Sequence, residues 1–123
     1  MTGGAGDDVY VVDSVGDVVS EVTQGAVGAG SIVMLSTNSS GVQGNSYSAI
    51  PVFSADGTQI AFISNANNLV AGDTNGTDDI FVKNLSTGVV TRVSTDSSGA
   101  QGNSFTFSSK PVFSADGTQV AFY

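Results

Sequence analysis

Residues 51–62 read PVFSADGTQIAF and residues 111–122 read PVFSADGTQVAF. A second matched block precedes each copy, STNSSGVQGNS at 36–46 and STDSSGAQGNS at 94–104. Ser36 recurs as Ser94, 58 residues on, and Pro51 recurs as Pro111, 60 residues on. The second copy therefore holds two extra residues between its blocks. Self-similarity over such a period marks a repeat architecture, in which a unit buries its apolar face only by stacking on a neighbour.

Working outward from these blocks, the repeat reads as strands. Gln59–Ser64 (QIAFIS) is a short continuous apolar run, as expected of a strand buried on both faces. Asp79–Asn84 (DIFVKN) and Val89–Thr95 (VVTRVST) are β-branched and partly alternating. Asp56-Gly57 supplies the positive φ of a tight hairpin turn between Phe53 and Ile60. Leu85-Ser86-Thr87-Gly88 marks a second short turn. Nothing shows a sustained helical stripe.

One unit is thus expected to hold four strands: 50–54, 59–64, 79–84 and 89–95. Residues 31–37 match the last strand of a preceding unit, and 110–123 supply the first two strands of a following one. Proline at 51 and 111 falls at a strand start, where the missing N–H is tolerated. The fold class is all-β: antiparallel four-stranded units, one complete and two partial, after an N-terminal segment of different character. Residues 26–30 (AVGAG) form the linker between 1–25 and 31–123.

Four-stranded antiparallel units repeating at this scale are the blades of β-propellers. The run P-V-F-S-A-D-G-T-Q-[IV]-A-F, followed by D-I-F-V-K-N-L-S-T-G and T-R-V-S-T, resembles the TolB-type propeller repeat across residues 31–123. That resemblance implies a scaffold whose blades serve as a binding surface. The short turns fall at one end of such a unit. The connections 65–78 and 96–109, rich in Asn, Ser, Gly and Asp, fall at the other, where binding on rigid scaffolds is usual. A protein or carbohydrate ligand is the candidate occupant of that end, the alternative being that these loops are only solvent-facing connections. Propellers use about 4–8 blades, so a blade and a half leaves open faces and a tendency to self-associate.

Residues 1–25 carry Asp7, Asp8, Asp13, Asp17 and Glu21 with no Lys or Arg. Gly3-Gly4-Ala5-Gly6-Asp7-Asp8-Val9-Tyr10-Val11 fits G-G-x-G-x-D-x-U-x and resembles the terminal nonapeptide of RTX (hemolysin-type) β-rolls. The resemblance implies Ca²⁺ binding by Gly3, Gly4, Ala5, Gly6 and, as the hard carboxylate ligand, Asp8. A single turn supplies too few of the 6–8 oxygens that Ca²⁺ takes, so the motif reads as half a site, its alternative being a solvated glycine turn. A second calcium candidate is Asp73, Asn75, Thr77 and Asp79, oxygen-bearing side chains alternating around Gly76. No distal Glu follows, and an Asx turn leading into a strand accounts for the same residues.

Composition excludes several functions. There is no Cys and no His, which removes thiol nucleophiles, disulfides, zinc sites of those ligands and imidazole acid–base chemistry. Three Lys and Arg against eleven Asp and Glu give a net charge of −8, which disfavours nucleic acid and anionic membrane surfaces. No apolar run reaches the ~20 residues of a membrane-spanning helix. Lys83, Arg92 and Lys110 read as isolated surface charges, and no carboxylate pair stands out, so no catalysis is expected. Met1-Thr2-Gly3-Gly4 lacks the basic and apolar regions of a cleavable signal. The RTX resemblance implies bacterial export by another route and an extracellular location, with the periplasm as the alternative. Readings kept open are a metal-independent propeller interaction module and the accessory propeller of a larger hydrolase.

Overall fold

The computed structural model describes residues 33–103 and 110–123. The expected RTX-like turn at 3–8 lies outside these residues. Six strands follow in order: β1 (Ser48–Phe53), β2 (Gln59–Ser64), β3 (Asp79–Asn84), β4 (Val90–Arg92), β5 (Val112–Phe113) and β6 (Val120–Ala121). The first four form one antiparallel sheet in the order β1-β2-β3-β4, and β5 pairs with β6 in a second, two-stranded sheet. Among the described residues there is no helix.

The reading of β2 as a strand covered on both sides holds. Ile60 and Ala61, which point to opposite faces, are both 0% exposed. On one face, Ile60, Phe62, Phe81 and Val90 join Leu35, Ala66 and Leu69 in a single apolar cluster. Phe62 and Phe81 are direct cross-strand partners, and their rings stack with centroids 5.9 Å apart. Burying such side chains contributes about 1.5–3 kcal/mol each. On the other face, Val82, Thr91 and Val93 look across a groove of about 280 Å³ at Phe113, Val120 and Phe122 of the β5–β6 hairpin. Gln59 Nε2 also donates to the Gly117 carbonyl, 3.3 Å away, at the hairpin turn. The central sheet is therefore sandwiched between the segment that precedes it and the hairpin that follows it.

The two Ser-Ala-Asp-Gly-Thr-Gln turns are built alike. Gly57 and Gly117 take φ of 69° and 70°. Ser54 and Ser114 each donate their hydroxyl to the following aspartate, at 2.6 Å in both copies. Asp56 and Asp116 in turn accept from the backbone N–H of Thr58 and Thr118. Identical sequence gives the same hydrogen-bond pattern from serine hydroxyl and threonine N–H to the aspartate, as expected for turns closed by their own side chains.

Three boundaries differ from expectation. β1 begins earlier, at Ser48, because Ser48 and Ala49 pair with Ser64 and Ile63 ahead of a bulge before Val52. Ile50, at the bulge, has φ of 52°, an unfavourable conformation for a β-branched residue. Pro51 beside it has no N–H to leave unpaired. β4 is only Val90–Arg92, since Ser94 turns its hydroxyl to the Ile80 N–H and Thr95 bridges to Gln101. Within 33–37, Met34 and Thr37 are isolated bridge residues, Thr37 pairing with Gln43, and the stretch forms no continuous strand among the described residues.

Candidate functional site

The polar connections converge at one end of the central sheet. The loop 36–45 closes on itself through Asn38. Its Oδ1 accepts from the backbone N–H of Ser40 and of Val42, both at 2.9 Å, and Gly44 N donates to the Ser36 carbonyl at 2.8 Å. The loop 94–103 repeats this with Asp96, whose Oδ1 accepts from Ser98 N at 2.8 Å and Ala100 N at 3.0 Å. Gly102 N likewise donates to the Ser94 carbonyl at 3.1 Å. The duplicated STxSSGxQGN sequence thus encodes one loop shape, used twice.

The first loop grips the connection between β2 and β3. Asn45 Nδ2 donates to Asn67 Oδ1 at 2.7 Å, and Asn45 N donates to Asn68 Oδ1 at 2.9 Å. Asn67 N donates back to Asn45 Oδ1, and Asn68 Nδ2 to the Gln43 carbonyl. Gly44 sits so close to the connection that a Cβ there would meet Ala66 Cβ at 3.2 Å and Leu69 Cδ2 at 3.3 Å. Deeper in, Ser39 Oγ accepts from Val90 N, and Lys83 Nζ donates to the Thr37 hydroxyl and carbonyl.

The second loop holds the same β2–β3 connection from the opposite side. Gln101 Nε2 donates to Thr74 Oγ1 at 2.8 Å and Gln101 Oε1 accepts from Arg92 Nη1 at 2.8 Å. Asn75 Nδ2 donates to the Gly102 carbonyl at 2.9 Å. Gln43, the counterpart of Gln101, has a buried Nε2 with no partner among the described residues.

The structure gathers the second calcium candidate, but around a cation of its own. Arg92 Nη1 lies 3.4 Å from Asp73 Oδ1 and 3.7 Å from Asp79 Oδ2. Asn75 turns its amide nitrogen, not its oxygen, to Asp79, and its Oδ1 accepts from Thr77 N in an Asx turn. Ser94 Oγ donates to Asp79 Oδ1. Thr77 Oγ1 is buried without a hydrogen-bond partner among the described residues. Burial pushes the Asp73 carboxyl up and the Asp79 charge adds to that, while Arg92 opposes both. Among the described residues, no group of three or more Asp or Glu comes together that could hold a metal ion. Nearby, Tyr47 donates its hydroxyl to Asp78, which also accepts from Asn65 Nδ2. Burial, then the bond to Asp78 and its charge, push the Tyr47 phenol up to about 12.

The structure corrects the reading of the basic residues. Lys110 is exposed, but Lys83 is 7% exposed and the Arg92 side chain 10%. The signal was strand alternation: Asp79, Phe81 and Lys83 share one face of β3, and Val90, Arg92 and Ser94 continue that face on β4 and beyond. Burial with no carboxylate partner among the described residues holds the Lys83 amine below its ordinary range.

Between the first loop and the β2–β3 connection lies an open groove of about 550 Å³, with Asn38, Ser39, Asn67, Asn68, Leu69 and Val90 in its lining. Its polar groups are neutral amides and hydroxyls. No family model, characterised protein or solved structure matches this chain.

Proposed function

We propose that this chain is a non-catalytic scaffold of stacked β-units, of the TolB-type propeller class, carried on an exported bacterial protein. The loop-rich end is its binding surface, for a protein or carbohydrate ligand, and the glycine-rich acidic segment at 3–8 links it to Ca²⁺. One observation supports the scaffold reading: the loop 36–45, which precedes β1, grips the β2–β3 connection, and its sequence and internal hydrogen bonds recur at 94–103. On the repeat reading, recurring contacts of this kind would join each unit to the next, and stacked repeats draw their stability from such contacts. The amide-and-hydroxyl groove beside that loop supports a neutral polar ligand over a charged one.

Calcium titration of the full chain, followed by thermal melting with an EGTA control, tests the metal link. A rise in melting temperature that EGTA reverses is the expected result. No change up to millimolar Ca²⁺ would overturn the calcium role. A metal-independent interaction module is the second reading. It is favoured within residues 73–79 by Arg92, which already supplies a positive charge to Asp73 and Asp79.

A further inference from the structure

The two copies of the loop differ in what covers them. Gly44 is buried against Ala66 and Leu69. Gly102, its counterpart, is exposed, and a Cβ there would meet only the Ser94 carbonyl, at 3.6 Å, among the described residues. Asn45 makes three hydrogen bonds to Asn67 and Asn68. Asn103, its counterpart, is exposed and has no hydrogen-bond partner among the described residues. Loop 94–103 thus has the shape of a receptor whose occupied form is visible elsewhere in the same chain.

We infer that loop 94–103 is a docking site for a peptide loop of the Asn-Ala-Asn-Asn-Leu type, the sequence at 65–69 that the first loop already grips. This rests on the scaffold reading. The occupant presents a small residue and a leucine to Gly102, and two side-chain amides to Asn103 and to the Gln101 carbonyl. One substitution tunes the site. Asn38 Nδ2 lies 3.5 Å from the Asn68 carbonyl as a donor. Asp96 replaces it with an acceptor, and hydrogen bonds from Ser98 and Ala100 hold its carboxyl below the usual range, so it is ionised near neutral pH. A carbonyl facing Asp96 is repelled. The second loop therefore binds this peptide more weakly than the first does, and Asp96→Asn restores the donor.

The test uses the full chain and a synthetic peptide of residues 63–72, followed by amide chemical shifts. At millimolar peptide, shifts centred on residues 101–103 are expected. Asp96→Asn should tighten binding roughly threefold to tenfold, in line with one recovered hydrogen bond. Gly102→Leu should abolish it, because the side chain would take the place that Ala66 and Leu69 occupy against Gly44. Shifts confined to 38–45, concentration-dependent shifts at 101–103 that need no peptide, or no shifts at all would each overturn the proposal. Melting of two alanine variants separates this failure from failure of the scaffold reading. Gly44→Ala should lower the melting temperature and Gly102→Ala should leave it unchanged. If both lower it, loop 94–103 is already covered and only the docking proposal falls. If neither does, loop 36–45 is not a unit-to-unit clamp and the scaffold reading falls with it.

Discussion

Arg92 approaches Asp73 to 3.4 Å between Nη1 and Oδ1, in a site where both side chains are nearly excluded from water. The same guanidinium nitrogen donates to Gln101 and lies 3.7 Å from Asp79. One side chain on β4 therefore ties the β2–β3 connection to the loop that leaves the sheet. Removing it leaves two buried carboxylates without a counter-ion, which typically costs about 3–5 kcal/mol. Arg92→Met should lower stability by that order in urea titration. The vacated site then holds Asp73 and Asp79 with their charges uncompensated, so Ca²⁺ should raise the melting temperature of Arg92→Met by more than it raises that of the natural chain. Equal shifts in the two proteins would show that Arg92 does not occupy a potential cation position.

At the alkaline end, Tyr47 governs the pH response. Its phenol is raised in the folded state from 10.0 to about 12. Between those values the folded chain holds a proton that the unfolded chain has released, so stability falls as pH rises. Lys83 acts in the opposite sense. Its folded value is depressed, so its burial penalty shrinks as pH climbs towards 10.5. Tyr47→Phe should therefore flatten the loss of melting temperature above pH 10, at the cost of the bond to Asp78. A Tyr47→Phe profile as steep as that of the natural chain would remove Tyr47 from the explanation.

At the acid end the turn aspartates matter. Hydrogen bonds from Ser114 and Thr118 hold Asp116 down to about 2, and Asp56 and Asp96 are lowered by the equivalent contacts in their own loops. Depressed carboxyls stabilise the folded state above the unfolded value of 3.8, and that contribution is lost as pH falls towards 2. Replacing all three by Asn keeps an acceptor oxygen at each turn. The triple variant should therefore melt below the natural chain at pH 7, and the difference should narrow between pH 4 and pH 2, where the natural chain loses the contribution that the variant never had.

Ile50 offers a test of backbone strain. A left-handed conformation costs a non-glycine residue about 1–2 kcal/mol, and φ there is 52°. Glycine in a strand is normally less stable than alanine. At position 50 the order should invert, with Ile50→Gly more stable than Ile50→Ala by about 1 kcal/mol in urea titration. The usual order would show that the bulge relaxes when the side chain is removed.

Much of this was legible without coordinates. QIAFIS at 59–64 is apolar at the successive positions 60–63, and its short length between turn signals suits a strand covered on both sides. The Ser-x-Asp-Gly-Thr turns carry their hydrogen-bond partners within five residues, so their geometry is written locally. The same is true of the Asn38 and Asp96 loops. The second calcium candidate was legible only in part. Its oxygen-bearing residues do converge, yet the cation beside Asp73 and Asp79 is Arg92, which follows them in the chain by 13 residues and more.

The sequence by itself determined β2 and β3, the turns and the recurrence of one loop shape, because each rests on local patterning or on contacts between near neighbours in the chain. Only the tertiary structure decided which charges are buried, which cation faces Asp73 and Asp79, and that Gly44 is covered where Gly102 is open. Those outcomes depend on which segments, tens of residues apart, come to lie against one another. A repeated string such as SSGxQGN has the same local energetics in both places, so no reading of the string can say which copy has found its partner.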